Sequence, residues 1–158
     1  FTTGKKNNLK RVIKKIKIVN MDIRNFKSIN KLFKGVDNVF HLAAIADIVP
    51  SIENPQNYFT TNVHGTFNVL KASLENRVNR FIYSASSSCY GIPKKYPTSE
   101  NEKISTKYPY ALTKRLGEEL VLHFAEVYKL NATSLRFFNV YGKRSRTSGT
   151  YGAVFGVF

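Results

Sequence analysis

The chain has 158 residues, 42% of them hydrophobic, which is one domain's worth of sequence with enough apolar surface to bury a core. It contains no run of 18 apolar residues and a single cysteine, Cys89, so a membrane-spanning helix and an internal disulfide are excluded, and the cytoplasm is the expected location. The formal charge of +15 raises a nucleic-acid role; the eleven Lys and Arg residues between Phe1 and Lys34 interleave with apolar positions and lack an aromatic stacking run, so a solvated basic face is expected instead.

In chain order, Ile16 to Asn20 (IKIVN) reads as a buried strand closed by "MDIRN". Phe26, Ile29, Leu32 and Phe33 then repeat at helical spacing until Gly35 stops them. "DNVFHLAA" predicts a second buried strand ending in small residues. Pro55 opens a long helix whose apolar stripe is Phe59, Val63, Phe67, Leu70 and Leu74. "RFIYSASSS" is the third strand, followed by a loop rich in Pro, Lys and Ser through Lys107. The next helix carries Tyr110 and Lys114 and buries Leu112, Leu116, Leu120 and Phe124, and "ATSLRFFNV" is the fourth strand.

Strands that alternate with helices and are continuously apolar predict a parallel sheet covered by helices on both faces. In such sheets ligands gather at the carboxyl ends of the strands, here "MDIRN", "HLAAIAD", "SASSSCYG" and "FFNVYG". No internal repeat or linker divides the chain. The spacing of Tyr110 and Lys114 puts a phenol and an ammonium one turn apart on one helix face. A fixed positive charge favours the phenolate, so this pair is a candidate proton acceptor near neutral pH. His41, His64 and His123 have no metal-ligand spacing, and no metal is assigned.

The ordered motifs "DIRN", "HLAA", "NVHGT", "SASSSCYG", Tyr110-x-x-x-Lys114 and "LRFFNVYG" resemble the extended short-chain dehydrogenase/reductase family, in particular its nucleotide-sugar epimerases of the UDP-glucose 4-epimerase type. The resemblance runs over essentially the entire chain. It implies an α/β, Rossmann-type doubly wound parallel sheet and NAD as cofactor. It also implies that a glycine-rich pyrophosphate turn, an acid for the ribose and a substrate domain lie outside residues 1–158, with 143–158 leading into the last of these. On this reading the chain is an internal piece of a protein about twice its length, inactive and a poor binder of NAD by itself.

The resemblance assigns catalysis to Ser86, Tyr110 and Lys114. Tyrosinate at Tyr110 would take a sugar hydroxyl proton, Lys114 would hold the phenolate and the nicotinamide ribose, and Ser86 would share its proton at the reacting oxygen. It assigns the cofactor to Thr3, Gly4, Asp22, Ile23, Leu42, Ala43, Ala44, Asn62, Tyr110, Lys114 and Phe138. It assigns the nucleotide-diphosphate sugar to Ser86, Ser88, Tyr110 and Asn139, and implies a homodimer with no nucleic-acid or membrane partner, acting in polysaccharide biosynthesis.

Structural roles compete for several of these residues. Asp22 is placed to cap the following helix, Leu42 to Ala44 to pack closely, Asn62 to bond a backbone carbonyl, and the serine cluster to bond its own backbone. Lys143, Arg144 and Arg146 are candidates for a diphosphate or for a solvated loop. The 4-epimerase lysine after the "HxAGL" motif is replaced here by Ala46, which leaves substrate choice open. A 4,6-dehydratase, the nearest alternative, would carry an acid before the Tyr-Gly of the loop, where this chain has Ser88 and Cys89; a uronate epimerase or a decarboxylase also stays open. A basic binding module without catalysis is the remote alternative.

Overall fold

The computed structural model describes residues 4–142. Within them β1 (Asn38–His41), β2 (Arg80–Ser86) and β3 (Ala132–Phe137) form a parallel sheet in the order β1-β2-β3. The register pairs Phe40 with Ile82 and Ser84 with Leu135, so these side chains share one face. Val39, His41, Phe81, Tyr83 and Ala85 point to the other, following the two-residue period of a strand.

That second face carries the core. α1 (Phe26–Asn30), α4 (Gly65–Glu75) and α5 (Pro109–Val127) bury Ile29, Val69, Leu70, Val121 and Phe124 together with Phe81, Tyr83 and Ala85. Gly117 lets α5 approach closely, because a Cβ there would collide with the Tyr83 hydroxyl. On the opposite face Phe40, Leu42, Leu135 and Phe137 are exposed, so the apolar pattern suited to burial on two sides is met on one among the described residues.

Helix starts follow local chemistry. Asn25 caps α1 by accepting from the Ser28 N–H at 3.1 Å, and Gly35 takes a left-handed φ of 75° at the turn beyond it. Asp22 does not cap this helix; its carboxylate is turned to Arg24 instead. α2 (Ile48–Glu53) precedes α3 (Pro55–Tyr58), which continues through a π-helical stretch, Phe59–His64, into α4. Pro55 and Pro109 occupy first-turn positions, where the missing N–H costs nothing.

Three sequence expectations change. Ile16 to Asn20 forms no strand: it makes no ladder with any described strand, and Ile16, Ile18 and Val19 are exposed. Along Pro55 to Glu75 the buried stripe is Tyr58, Asn62, Thr66, Val69, Leu70 and Ser73, while Phe59 and Phe67 face outward. On α5 Phe124 is buried as expected, but Ala111, Lys114, Gly117, Glu118 and Val121 fill the rest of the inner face, and Leu112 is exposed. In both helices polar side chains displace apolar ones from the interior because each finds a buried partner.

Candidate functional site

All three strands stop before their small-residue ends, at His41, Ser86 and Phe137, and the segments beyond them shape two cavities. One, of about 540 Å³, is lined by Ser86, Ser88, Tyr90, Tyr110, Phe138 and Asn139 among others. The other, of about 850 Å³, is lined by Gly4, Asp22, Ile23, Ala43 and Ala44 among others. Ala46 and Asp47 line both, so the two adjoin along the loop after β1. Asp47 holds a φ of 85°, a strained conformation for a residue with a side chain.

Ser86 ends β2. Its Oγ accepts from the Ser88 N–H at 3.2 Å and from the Ser88 hydroxyl at 2.8 Å, which leaves its own O–H as the donor. The serines do bond one another, as a strand-end cluster can, while still facing the cavity.

Tyr110 sits in the first turn of α5, its backbone N–H donating to Ser51 Oγ at 3.1 Å. Its ring meets Tyr58 edge-on, centroids 6.5 Å apart, and the Tyr58 hydroxyl donates to the Ala46 carbonyl at 2.5 Å. One turn on, Lys114 is 4% exposed. Its Nζ donates to the Ser84 carbonyl at 2.5 Å and lies 4.4 Å from the Tyr83 ring centroid. Burial lowers the Lys114 ammonium to about 8, opposed in part by the negative charge of Glu118.

Beneath the site, buried His41 bonds Thr66 Oγ1 at 2.9 Å between the rings of Phe81 and Tyr83. Burial, and secondarily the charge of Lys114, pushes His41 down to about 3. Between its ordinary value of 6.5 and about 3 the unfolded chain binds a proton that the folded chain refuses, so stability falls as pH falls through that window. Wild type should therefore lose about 2 kcal/mol more than His41→Gln between pH 7 and pH 5, read from urea midpoints. Equal losses in the two proteins would remove His41 from the acid sensitivity.

The remaining expected residues separate by place. Asp22 is half-exposed, and hydrogen bonds from Arg24 side chain and backbone hold its carboxyl below the usual carboxylate range. Leu42 lies exposed on the open sheet face and Asn62 lies in the core, so neither lines a cavity. Asn62 clamps the loop after β1: its Oδ1 accepts from the Ile45 N–H at 2.8 Å, and its Nδ2 donates to the Ile45 carbonyl at 3.0 Å and to Thr113 Oγ1 at 3.1 Å. Thr3, Lys143, Arg144 and Arg146 lie outside the described residues.

Sequence reasoning missed Asp47, the His41–Thr66 pair, and the ion pair between Glu118 and Arg136 (Nε to Oε1, 3.0 Å). Glu118 had a legible signal, since it continues the four-residue spacing of Tyr110 and Lys114.

The chain matches known proteins over nearly all its length. The family described as the NAD dependent epimerase/dehydratase family matches residues 2–156. A putative UDP-glucose 4-epimerase of Methanocaldococcus jannaschii is 36% identical over 156 residues, 98% of this chain and 50% of that protein. UDP-glucuronate 4-epimerase 4 of Arabidopsis thaliana is 39% identical over 140 residues, 85% of this chain and 32% of that protein. The crystal structure of a UDP-glucose 4-epimerase with UDP-glucose from Thermotoga maritima superposes with a TM-score of 0.89 at 31% identity, covering 99% of this chain and 50% of that one. The chain thus spans half the length of the first of these relatives and 32% of the second.

Proposed function

The chain belongs to the NAD dependent epimerase/dehydratase family, and from that premise we propose that the whole protein epimerises C4 of a UDP-hexose. The observation that carries this reading is the convergence of Ser86, Ser88, Tyr110 and Asn139 on one cavity, with the Lys114 ammonium held one turn behind Tyr110.

The adjoining cavity fits a dinucleotide. Its volume of about 850 Å³ and its wall at Ala43 and Ala44 leave room for an extended ligand to lie against backbone, and it meets the first cavity at Ala46 and Asp47. Gly4, Asp22, Ile23, Ala43 and Ala44 would hold NAD there, with Phe138, Tyr110 and Lys114 toward the first cavity. Asn62 supports this site from outside its wall, through its bonds to Ile45. NAD, when bound, supplies a hydride acceptor and donor at the reacting carbon.

The protein's own groups handle the proton. The positive charge of Lys114 favours the phenolate of Tyr110, which accepts the proton of the sugar hydroxyl. Ser86 donates its O–H to the reacting oxygen, and Ser88 holds Ser86 in that orientation through their 2.8 Å bond. Asn139 offers an amide to the diphosphate. Elimination of water would also need an acid beside the leaving hydroxyl. At the two positions before Tyr90 that acid is missing: Ser88 is engaged with Ser86, and burial raises the Cys89 thiol. Asp47 is the carboxylate on the cavity wall among the described residues, and it comes from the loop after β1.

The test is to assay the whole protein on UDP-glucose, UDP-galactose and their N-acetylated and uronic counterparts. Interconversion of C4 epimers without net NADH is the expected result. Accumulation of a 4-keto-6-deoxy sugar would replace this reading with dehydration.

A further inference from the structure

Glu118 is a buried carboxylate, 3% exposed, on the α5 face that also carries Tyr110 and Lys114. Its Oε1 accepts from Ser134 Oγ at 2.9 Å and Arg136 Nε at 3.0 Å, and its Oε2 accepts from Arg115 Nη1 at 2.8 Å and Arg136 Nε at 3.1 Å. The contacts continue beyond the pair. Arg136 Nη1 donates to the Tyr90 hydroxyl at 2.8 Å and to the Glu100 carbonyl at 3.2 Å. Tyr90 is 4% exposed and stacks on Phe138, centroids 6.3 Å apart at 25°. Tyr90 and Phe138 are walls of the cavity that Ser86 and Tyr110 line.

We propose that Glu118 and Arg136 are positioning residues for this cavity: the ion pair of buried Glu118 with half-buried Arg136 sets the helix presenting Tyr110 and Lys114 against the wall formed by Tyr90 and Phe138. Such a pair gives little net stability over apolar side chains of the same volume, because desolvation offsets much of the attraction. What it gives is registry. Arg136 is the donor able to make this connection, since its rigid fork reaches Glu118 on α5 with one nitrogen and Tyr90 on the loop after β2 with another. Lysine has a single nitrogen and cannot hold both partners at these angles. Phe138, two residues beyond Arg136, is thereby held at the edge of β3 instead of swinging with the segment that leaves it.

The activity arm of the test rests on the epimerase reading; a second arm does not. In the whole protein, Arg136→Lys should keep the native circular dichroism and lower kcat by about 10- to 100-fold through misplacement of the reacting groups. KM for the nucleotide sugar should move less than roughly threefold. Glu118→Gln should in addition shift the alkaline limb of activity to lower pH, because Lys114 loses a neighbouring negative charge; Arg136→Lys should leave that limb in place. The groups that face Lys114 are Glu118 on α5, His41 on β1 and Tyr83 on β2, with Tyr110 one turn before it on α5. The double variant Glu118→Gln/Arg136→Gln, which leaves neither member of the pair as a lone charge, should fold and show the same kcat deficit.

The independent arm places a reporter by Phe138→Trp. The indole emission should move to longer wavelength when Arg136→Lys is added, as the ring loses its stack on Tyr90. Unchanged emission together with unchanged kcat in a folded Arg136→Lys protein would overturn the proposal. If wild type epimerises no UDP-sugar, the epimerase reading fails and the emission arm alone decides this one: a shift supports it and no shift overturns it.

Discussion

Tyr110→Phe in the whole protein is expected to cut turnover by about 10²- to 10⁴-fold, the contribution typical of a positioned acid or base. The change removes one oxygen and little else. The ring keeps its edge contact on Tyr58, and the backbone N–H of residue 110 keeps its bond to Ser51. Fold and substrate binding should therefore survive, and the loss should fall on kcat with KM nearly unchanged, the pattern of an interaction made in the transition state. Isothermal titration with UDP and steady-state assay of the same preparation check both halves. Near-normal turnover would remove the tyrosine from the mechanism, and loss of UDP affinity would make it a binding residue instead.

Lys114→Met should separate activity from stability in the opposite sense to an ordinary core substitution. An ammonium that is 4% exposed and lowered from 10.5 to about 8 is held in the folded protein against its preference for water. That displacement corresponds to about 3 kcal/mol of destabilisation at neutral pH. Methionine fills a similar volume without the charge, at the loss of the bond to the Ser84 carbonyl and the contact over Tyr83. The net expectation is a gain of about 1–2 kcal/mol at pH 7 together with loss of nearly all turnover.

The pH dependence gives a second check on Lys114. Its folded value lies below its unfolded one, so its cost is fully present below about pH 8 and is relieved as pH rises from there to 10.5. Urea midpoints across that range should rise for wild type relative to Lys114→Met. A variant much less stable than wild type at pH 7 would show that the lysine is present for packing.

Much of the site was legible from residue type and spacing. A spacing of four residues from Tyr110 to Lys114 places them on one face of any helix, and serines at the end of an apolar strand are presented at the sheet's ligand-binding edge. The residues expected at the cofactor do not all fall in one place. Gly4, Asp22, Ile23, Ala43 and Ala44 line one cavity, whereas Leu42 is on the open sheet face and Asn62 is in the core. Leu42 directly precedes Ala43 in the motif, but successive side chains on extended backbone point to opposite sides. Asn62 was near the site for a different reason: its amide bonds both backbone groups of Ile45 and so fixes the loop that divides the two cavities.

The sequence carries on its own the features that depend on near neighbours. Pro55 and Pro109 start helices because their missing N–H falls where none is needed, and Gly35 ends a turn that requires a positive φ. It also determined that apolar strands alternate with helices, and so a parallel sheet. Tertiary structure alone decided which helix faces are inside. Hydropathy turns Phe59 and Leu112 inward and Asn62 and Glu118 outward, and the fold does the reverse. A polar side chain can be buried only when a distant segment satisfies it. Asn62 meets Thr113 from 51 residues away, and Glu118 meets Arg136 from the next strand. The Ile16 to Asn20 segment shows the same limit for strands: its apolar residues suit a sheet, but a strand exists only where it pairs with another backbone, and among the described residues this segment pairs with none of the three strands.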